Sequence, residues 1–320
     1  MEQHTDVFSP PYPLDTAVLF LVFNRPEPTK QVFEAIRLAK PPRLYIAADG
    51  PRESRKGEAD KVQHVRELIL SMIDWDCEVK TLFRDSNLGC KMAVSSAITW
   101  FFENEEQGII LEDDCLPSQS FFWFCEELLN KYVDNEAIFL ISGDARGPES
   151  FGMKEDYGFC KYPLIWGWAS WSRVWKNYDV EMQDWPKQKN VLPPLISNNK
   201  PTIKFWKKTF DKVYRKNIDT WDYQFTYLLQ KKKGKCIVPK VNLITNIGFG
   251  ADATHTFSQN SIAANRTRHE INLPLNHTQN AKSEIEINNF FDNNVFLTRS
   301  LIVRVTNRIS RMVIGKTIFK

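Results

Sequence analysis

The sequence predicts an α/β fold, a mostly parallel sheet with helices on its flanks. Two observations predict it. Over the first third of the chain, four short apolar runs alternate with segments of helical periodicity, the pattern that successive βαβ units produce. The runs are also continuous rather than alternating, as strands must be when helices cover both faces of their sheet.

Taken in order, residues 17–23 (AVLFLVF) form the first buried strand, and Pro26 and Pro28 mark the turn after it. Residues 29–38 have helical spacing. Residues 43–48 (RLYIAA) are a second strand, stopped by Asp49-Gly50-Pro51. Residues 61–73 place Val62, Val65, Leu68, Ile69 and Met72 on one helical face. Residues 77–83 are a third strand, 91–102 a helix and 108–111 (GIIL) a short fourth strand. Right-handed crossovers join such units into a Rossmann-like sheet.

The second half is less regular. Residues 121–132 read as a helix, 137–142 (AIFLIS) as a strand and 162–175 as an aromatic-rich stretch. Residues 203–214 and 221–230 are helical, and 236–247 hold one or two strands. From about residue 258 the composition turns to Asn, Thr and Ser, as in a linker. Residues 295–320 then recover a helical pattern, with Ile302, Val305, Ile309, Met312 and Val313 on one face and Arg304, Arg308 and Arg311 on another. A basic amphipathic helix of this kind either lies on an anionic membrane surface or packs on its own domain with the basic face in water. The expected organisation is an N-terminal segment (1–14), one domain (15–257, halves 15–115 and 116–257) and a linker with a C-terminal helical extension (258–320).

Composition narrows the function classes. The 320 residues are 42% apolar and 25% charged, ordinary for a globular protein, and the net charge of +3 is too mild to argue for nucleic acid. The six Cys match no zinc spacing and read as free, mostly buried thiols; the five His form no HExxH cluster. Neither an N-terminal signal peptide nor a run of about 18 apolar residues is visible, so the expected compartment is the cytoplasm, with contact at the inner membrane face if the basic tail provides it.

In parallel α/β sheets ligands sit beyond the carboxyl ends of the strands. Here those ends carry Asn24-Arg25, Asp49-Gly50, Arg84 with Asn87, and Glu112-Asp113-Asp114. The acidic triplet is the strongest local signal. Adjacent carboxylates repel and cost desolvation, so a fold tolerates them most easily beside a cation. Mn²⁺ or Mg²⁺ takes one or two carboxylates together with phosphate oxygens and water, and so held it neutralises charge on a leaving diphosphate.

With these elements, the chain resembles the nucleotide-diphospho-sugar transferases of the GT-A fold, whose metal motif (the DXD motif) follows a central strand. The form Glu112-Asp113-Asp114 is closest to the N-acetylglucosaminyltransferase I type, with a family 2-like order of elements over about residues 15–257. The resemblance implies a metal-dependent, inverting glycosyl transfer from a nucleotide-diphosphate sugar, UDP favoured, to a hydroxyl of a glycan or glycolipid, as in surface polysaccharide biosynthesis. It implies Asp114 on the metal, with Glu112 and Asp113 toward donor sugar and ribose, and Asp49 against the uracil or ribose. Asn24 and Arg25 would begin the nucleotide pocket. Asn87 falls in the family's Asn-x-Gly turn, and Arg84 and Lys91 are candidates for the diphosphate, Lys91 reading better as a solvated side chain. Trp166, Gly167 and Trp168, with Trp221, would line the sugars, the indoles stacking on apolar ring faces. Asp222 falls at the catalytic-base position, where a carboxylate removes the acceptor proton; the alternative for it is a helix N-terminal acid, and Asp219 is a candidate cap of the same helix. His255 is the candidate for completing the metal shell. The triplet departs from a strict Asp-x-Asp, so the division of labour among its acids stays open.

Two rivals share such a sheet. A sugar-1-phosphate nucleotidyltransferase needs a Gly-rich loop after the first strand, whereas residues 23–28 (FNRPEP) contain no Gly; a dinucleotide dehydrogenase needs GxGxxG at the same place. A non-catalytic sugar- or nucleotide-binding module would keep Asp49 and the tryptophans but have no use for Asp222.

Overall fold

The computed structural model describes residues 8–146, 153–248, 266–277 and 282–295. The first half follows the predicted alternation: β1 (Val18–Val22), α1 (Pro26–Ala39), β2 (Arg43–Ala48), α2 (Glu58–Ser71), β3 (Glu78–Phe83), α3 (Gly89–Asn104) and β4 (Gln107–Glu112). Every residue of β1 is buried, as its continuous apolar run requires. Pro26 and Pro28 sit in the first turn of α1, where the missing N–H costs nothing, so the helix begins three residues before the sequence spacing alone placed it.

The chain continues through β5 (Cys115–Pro117), α4 (Ser120–Lys131), β6 (Ile138–Ser142), β7 (Tyr157–Cys160), β8 (Trp168–Trp171), α5 (Ser172–Trp175), α6 (Trp185–Gln188), α7 (Leu192–Ile196), α8 (Lys200–Tyr214), α9 (Asp222–Lys232), β9 (Lys235–Pro239) and β10 (Ile244–Asn246). After it come α10 (Lys282–Phe290) and a π-helical turn at Phe291–Val295. Eight strands form one sheet in the order β3-β2-β1-β4-β8-β6-β9-β7, and β10 pairs with β5 beside it. Only β8 and β7 run against the other strands of the large sheet. This is the expected α/β architecture, a mostly parallel sheet flanked by helices.

The register places the site. Leu21 of β1 lies opposite both Ala47 of β2 and Glu112 of β4, and Ala48 lies opposite Phe83 of β3. Four parallel strands therefore end at one level, and whatever follows them meets at one edge.

The stretch read as a linker is, where described, fastened to the domain. The Glu270 carboxylate accepts the Gln119 and Ser120 N–H groups at 3.0 and 2.7 Å, capping α4 from a distance. Asp292, in the π-helical turn, accepts from Tyr162, from Ser197 (2.8 Å) and from the Lys161 ammonium (2.9 Å). Residues 296–320, with the expected basic tail helix, lie outside the described residues. All six cysteines are free, four of them buried, as expected. Among the described residues no helix is long and apolar enough to cross a membrane.

Candidate functional site

The carboxyl ends of β1 to β4 and the start of α9 open onto one cavity of about 520 Å³. Of the sequence-predicted site residues, Asn24, Arg25, Asp49, Arg84, Asn87, Glu112, Asp113, Asp114, Trp166, Trp221 and Asp222 line it. Arg52, Cys90, Asp219, Thr220 and Asn246 line it as well.

At its floor the end of β4 delivers the acidic triplet. One Arg25 nitrogen, Nη2, donates to Asp113 Oδ1 and to Asp114 Oδ2, the second at 3.0 Å, so a single guanidinium holds both acids. The backbone fixes Asp114 too, its carbonyl accepting the Ile247 N–H at 2.8 Å. Gly248 follows, and a Cβ there would run into Asp114 Oδ2, so only glycine lets this strand pass so close. Among the described residues Asp113 Oδ2 is buried without a hydrogen-bond partner. Burial, with the Asp114 charge behind it, pushes both Glu112 and Asp113 above the ordinary carboxylate range. Burial and the surrounding Glu112, Asp222, Asp219 and Asp49 push the Cys90 thiol up as well, which keeps it protonated and unreactive.

The lining holds six carboxylates (Asp49, Glu112, Asp113, Asp114, Asp219, Asp222) against three guanidiniums (Arg25, Arg52, Arg84). A negative cavity repels a diphosphate unless a cation joins it. Among the described residues no three His, Cys, Asp or Glu side chains converge as a metal cluster. A hard divalent ion needs no such cage, because it takes one or two carboxylates and fills its shell with phosphate and water. The surplus negative charge and the orphaned Asp113 oxygen fit such an ion. His255, the expected further ligand, lies outside the described residues.

The upper wall is built by Asp49. Its carboxylate accepts from Gly50 N and Leu88 N at 2.9 Å each, from Asn87 Nδ2 at 2.9 Å and from Gly89 N at 3.2 Å. These donors fill the four lone-pair sites of a carboxylate, so Asp49 clasps the β2 end to the loop entering α3. Asn87 completes the clasp by donating to the Gly50 carbonyl at 2.8 Å. Arg84 donates from Nη2 to Ser96 at 2.7 Å. Arg52, which the sequence reading missed, is aimed by Glu58: its Nη2 lies 2.5 Å from Oε1, and Asn24 donates to the same oxygen at 2.9 Å. Its signal was present, since it stands four residues beyond the end of β2, directly after the Asp49-Gly50-Pro51 turn already recognised there.

Across the cavity, Asp222 opens α9 and accepts a hydrogen bond from Thr220. Asp219 does not cap α9; it caps α3, accepting from Cys90 N at 2.9 Å and Lys91 N at 3.0 Å. Lys91 turns away to Glu181, 2.6 Å distant. The tryptophans divide. Trp166 is half-buried on the cavity wall, with the Arg146 guanidinium 4.4 Å from its ring centre. Trp168 and Trp221 both correct the sugar-stacking expectation: they are 0% and 2% exposed and stack on each other within the core, so neither offers its face to a sugar. For Trp168 the cause is its strand, because β8 lies between β4 and β6 and is buried on both faces. Gly167, between Trp166 and Trp168, has a left-handed φ of 59° and turns the chain into that strand, outside the cavity lining.

No protein-family model matches the chain, and no curated protein matches it in sequence. Among solved structures, the chain matches HddC from Yersinia pseudotuberculosis, 8% identical over 51% of this chain and 80% of that one, with a TM-score of 0.31. Mouse xyloside xylosyltransferase 1 in its apo form is 11% identical, with 69% and 82% covered and a TM-score of 0.31. A UTP-bound UGPase from Acinetobacter baumannii is 8% identical, with 71% and 86% covered and a TM-score of 0.33.

Proposed function

We propose that this chain is a glycosyltransferase that moves a sugar from a nucleotide-diphosphate donor, UDP favoured, to a hydroxyl of a glycan or glycolipid, with inversion at the anomeric carbon. The observation that carries the reading is the meeting in one cavity of the Glu112-Asp113-Asp114 floor and Asp222, which come from distant parts of the chain. A binding module needs the floor but gains nothing from a carboxylate facing it.

In this reading the nucleotide lies along the ends of β1 to β3, between Arg25, Arg52 and Arg84, with Trp166 against the sugar. Asp114, with the unpartnered oxygen of Asp113, would hold Mn²⁺ or Mg²⁺, which when bound supplies charge neutralisation for the departing diphosphate. Asp222, oriented by Thr220, takes the acceptor proton as the acceptor oxygen bonds to the anomeric carbon. The bond from that carbon to the diphosphate breaks at the same time, and its electron pair leaves with the nucleoside diphosphate. The absence of Gly in the loop after β1, where Arg25 instead reaches the acids, supports transfer over nucleotidyl chemistry.

A panel of UDP-sugars with Mn²⁺ and simple glycoside acceptors tests this. Asp222→Asn is expected to lower turnover by about 10²–10⁴-fold while donor binding persists. Full turnover in that variant would remove Asp222 as the base, and donor binding without turnover of any donor by the native chain would remove the transferase reading.

A further inference from the structure

Helix α8 divides its surface sharply. Thr202, Trp206, Thr209, Phe210 and Val213 are buried against the domain. Lys200, Lys204, Lys207, Lys208, Lys212 and, just past the helix end, Arg215 are all exposed. At 3.6 residues per turn these six cations fall within an arc of about 140°. The one acid on the helix, Asp211, is engaged by the Trp185 indole N–H at 2.9 Å. Among the described residues none of the six cations is in an ion pair.

A second feature adjoins the stripe. Lys207 donates to Asn190 at 2.7 Å, which seats the turn before α7 against the cationic face. From that turn and helix protrude Val191 and Leu195, 57% and 69% exposed, with Lys187 and Lys189 exposed close by in sequence. A soluble polyanion would engage the lysines but has no use for protruding aliphatic side chains. An anionic bilayer uses both, phosphates meeting the cations while the aliphatics enter the acyl boundary.

We infer that the α7–α8 face is a docking surface for an anionic lipid bilayer. The face is distinct from the cavity, yet α8 runs on through residues 216–218 to Asp219, Thr220, Trp221 and Asp222 on the cavity wall. Docking would hold at the bilayer surface the helix that leads into the base-bearing wall, on which a lipid-borne acceptor could then be met. That last step rests on the transferase reading; the docking itself does not.

The test is co-sedimentation of the full chain with vesicles of phosphatidylcholine alone and of phosphatidylcholine mixed with phosphatidylglycerol. Binding is expected only to the mixed vesicles and should weaken as salt rises. Each lysine near an anionic surface contributes roughly fivefold, so a Lys204→Ala, Lys208→Ala, Lys212→Ala variant should bind about a hundredfold more weakly. Val191→Ser with Leu195→Ser should weaken vesicle binding but leave binding to dextran sulfate unchanged. Unchanged vesicle binding in the triple variant would overturn the inference and place any contact elsewhere on the chain. Dextran sulfate binding as tight as vesicle binding, together with indifference to the Val191 and Leu195 changes, would overturn it in favour of a soluble polyanion. UDP calorimetry on the same variants should be unchanged, so docking and transfer chemistry can fail separately.

Discussion

The two sides of the cavity are built differently. On the side of the strand ends, the register of four parallel strands brings Asn24, Asp49, Arg84 and Asp113 to one level. On the facing side, Asp219 to Trp221 come from the loop between α8 and α9, Asp222 from the start of α9, and Trp166 from the approach to an antiparallel strand. The first side is levelled by sheet geometry and then locked by bonds such as the Asp49 clasp, whereas the second has no such register and depends on particular hydrogen bonds such as the Asp219 cap on α3. The contrast teaches that a parallel sheet brings its strand-end residues to one level before any side chain bonds, while the facing wall has to be tied in place residue by residue.

The largest effect that could break this comparison lies in the tryptophans. Trp168→Ala is expected to cost about 3–5 kcal/mol of stability, the range for deleting a large buried aromatic, measured by denaturant unfolding. Trp166→Ala should leave stability nearly unchanged and instead weaken donor or acceptor binding. A reversed pair of results would mean that the wall has been drawn with the wrong indole inward.

Asp49 sharpens the comparison next. As a clasp filled by four donors, its replacement in Asp49→Ala should cost about 1–3 kcal/mol of stability through the unpaired N–H groups. Loss of UDP affinity in calorimetry with an unchanged unfolding midpoint would restore the expectation that it contacts the nucleotide.

The smallest effect is a pH dependence. Hydrogen bonding to Arg52 outweighs burial and pulls Glu58 down to about 2. A carboxylate depressed in the folded state stabilises fully above its unfolded value near 4.5 and loses that contribution as pH falls toward 2. The stability gap between the native chain and Glu58→Gln should therefore be widest above pH 5 and close in that acid window. A gap independent of pH in thermal melts would count against the Arg52–Glu58–Asn24 arrangement.

Much of the fold was legible because continuous apolar runs announce buried strands, and β1 to β4 fall within a residue or two of expectation. The short β5 and β7 escaped: Cys115–Pro117 is three residues long, and Tyr157–Cys160 sits among glycine and charged residues without a run of its own. At the site, residues directly after strands were readable from position alone. The Asp219 cap on α3 was not, because its partners lie far away in the sequence and nothing local marks the pairing. Trp168 misled for a related reason: its Gly-and-aromatic surroundings suit a sugar platform equally well, and only the insertion of β8 between β4 and β6 buries it.

The central claim is that the acids at the end of β4 face a cation-bridged diphosphate. Calorimetry of UDP binding with and without Mn²⁺, on the native chain and on Asp114→Ala, addresses it directly. The account expects Mn²⁺ to strengthen UDP binding in the native chain and to have no effect in the variant. Equal binding in all four combinations would contradict it.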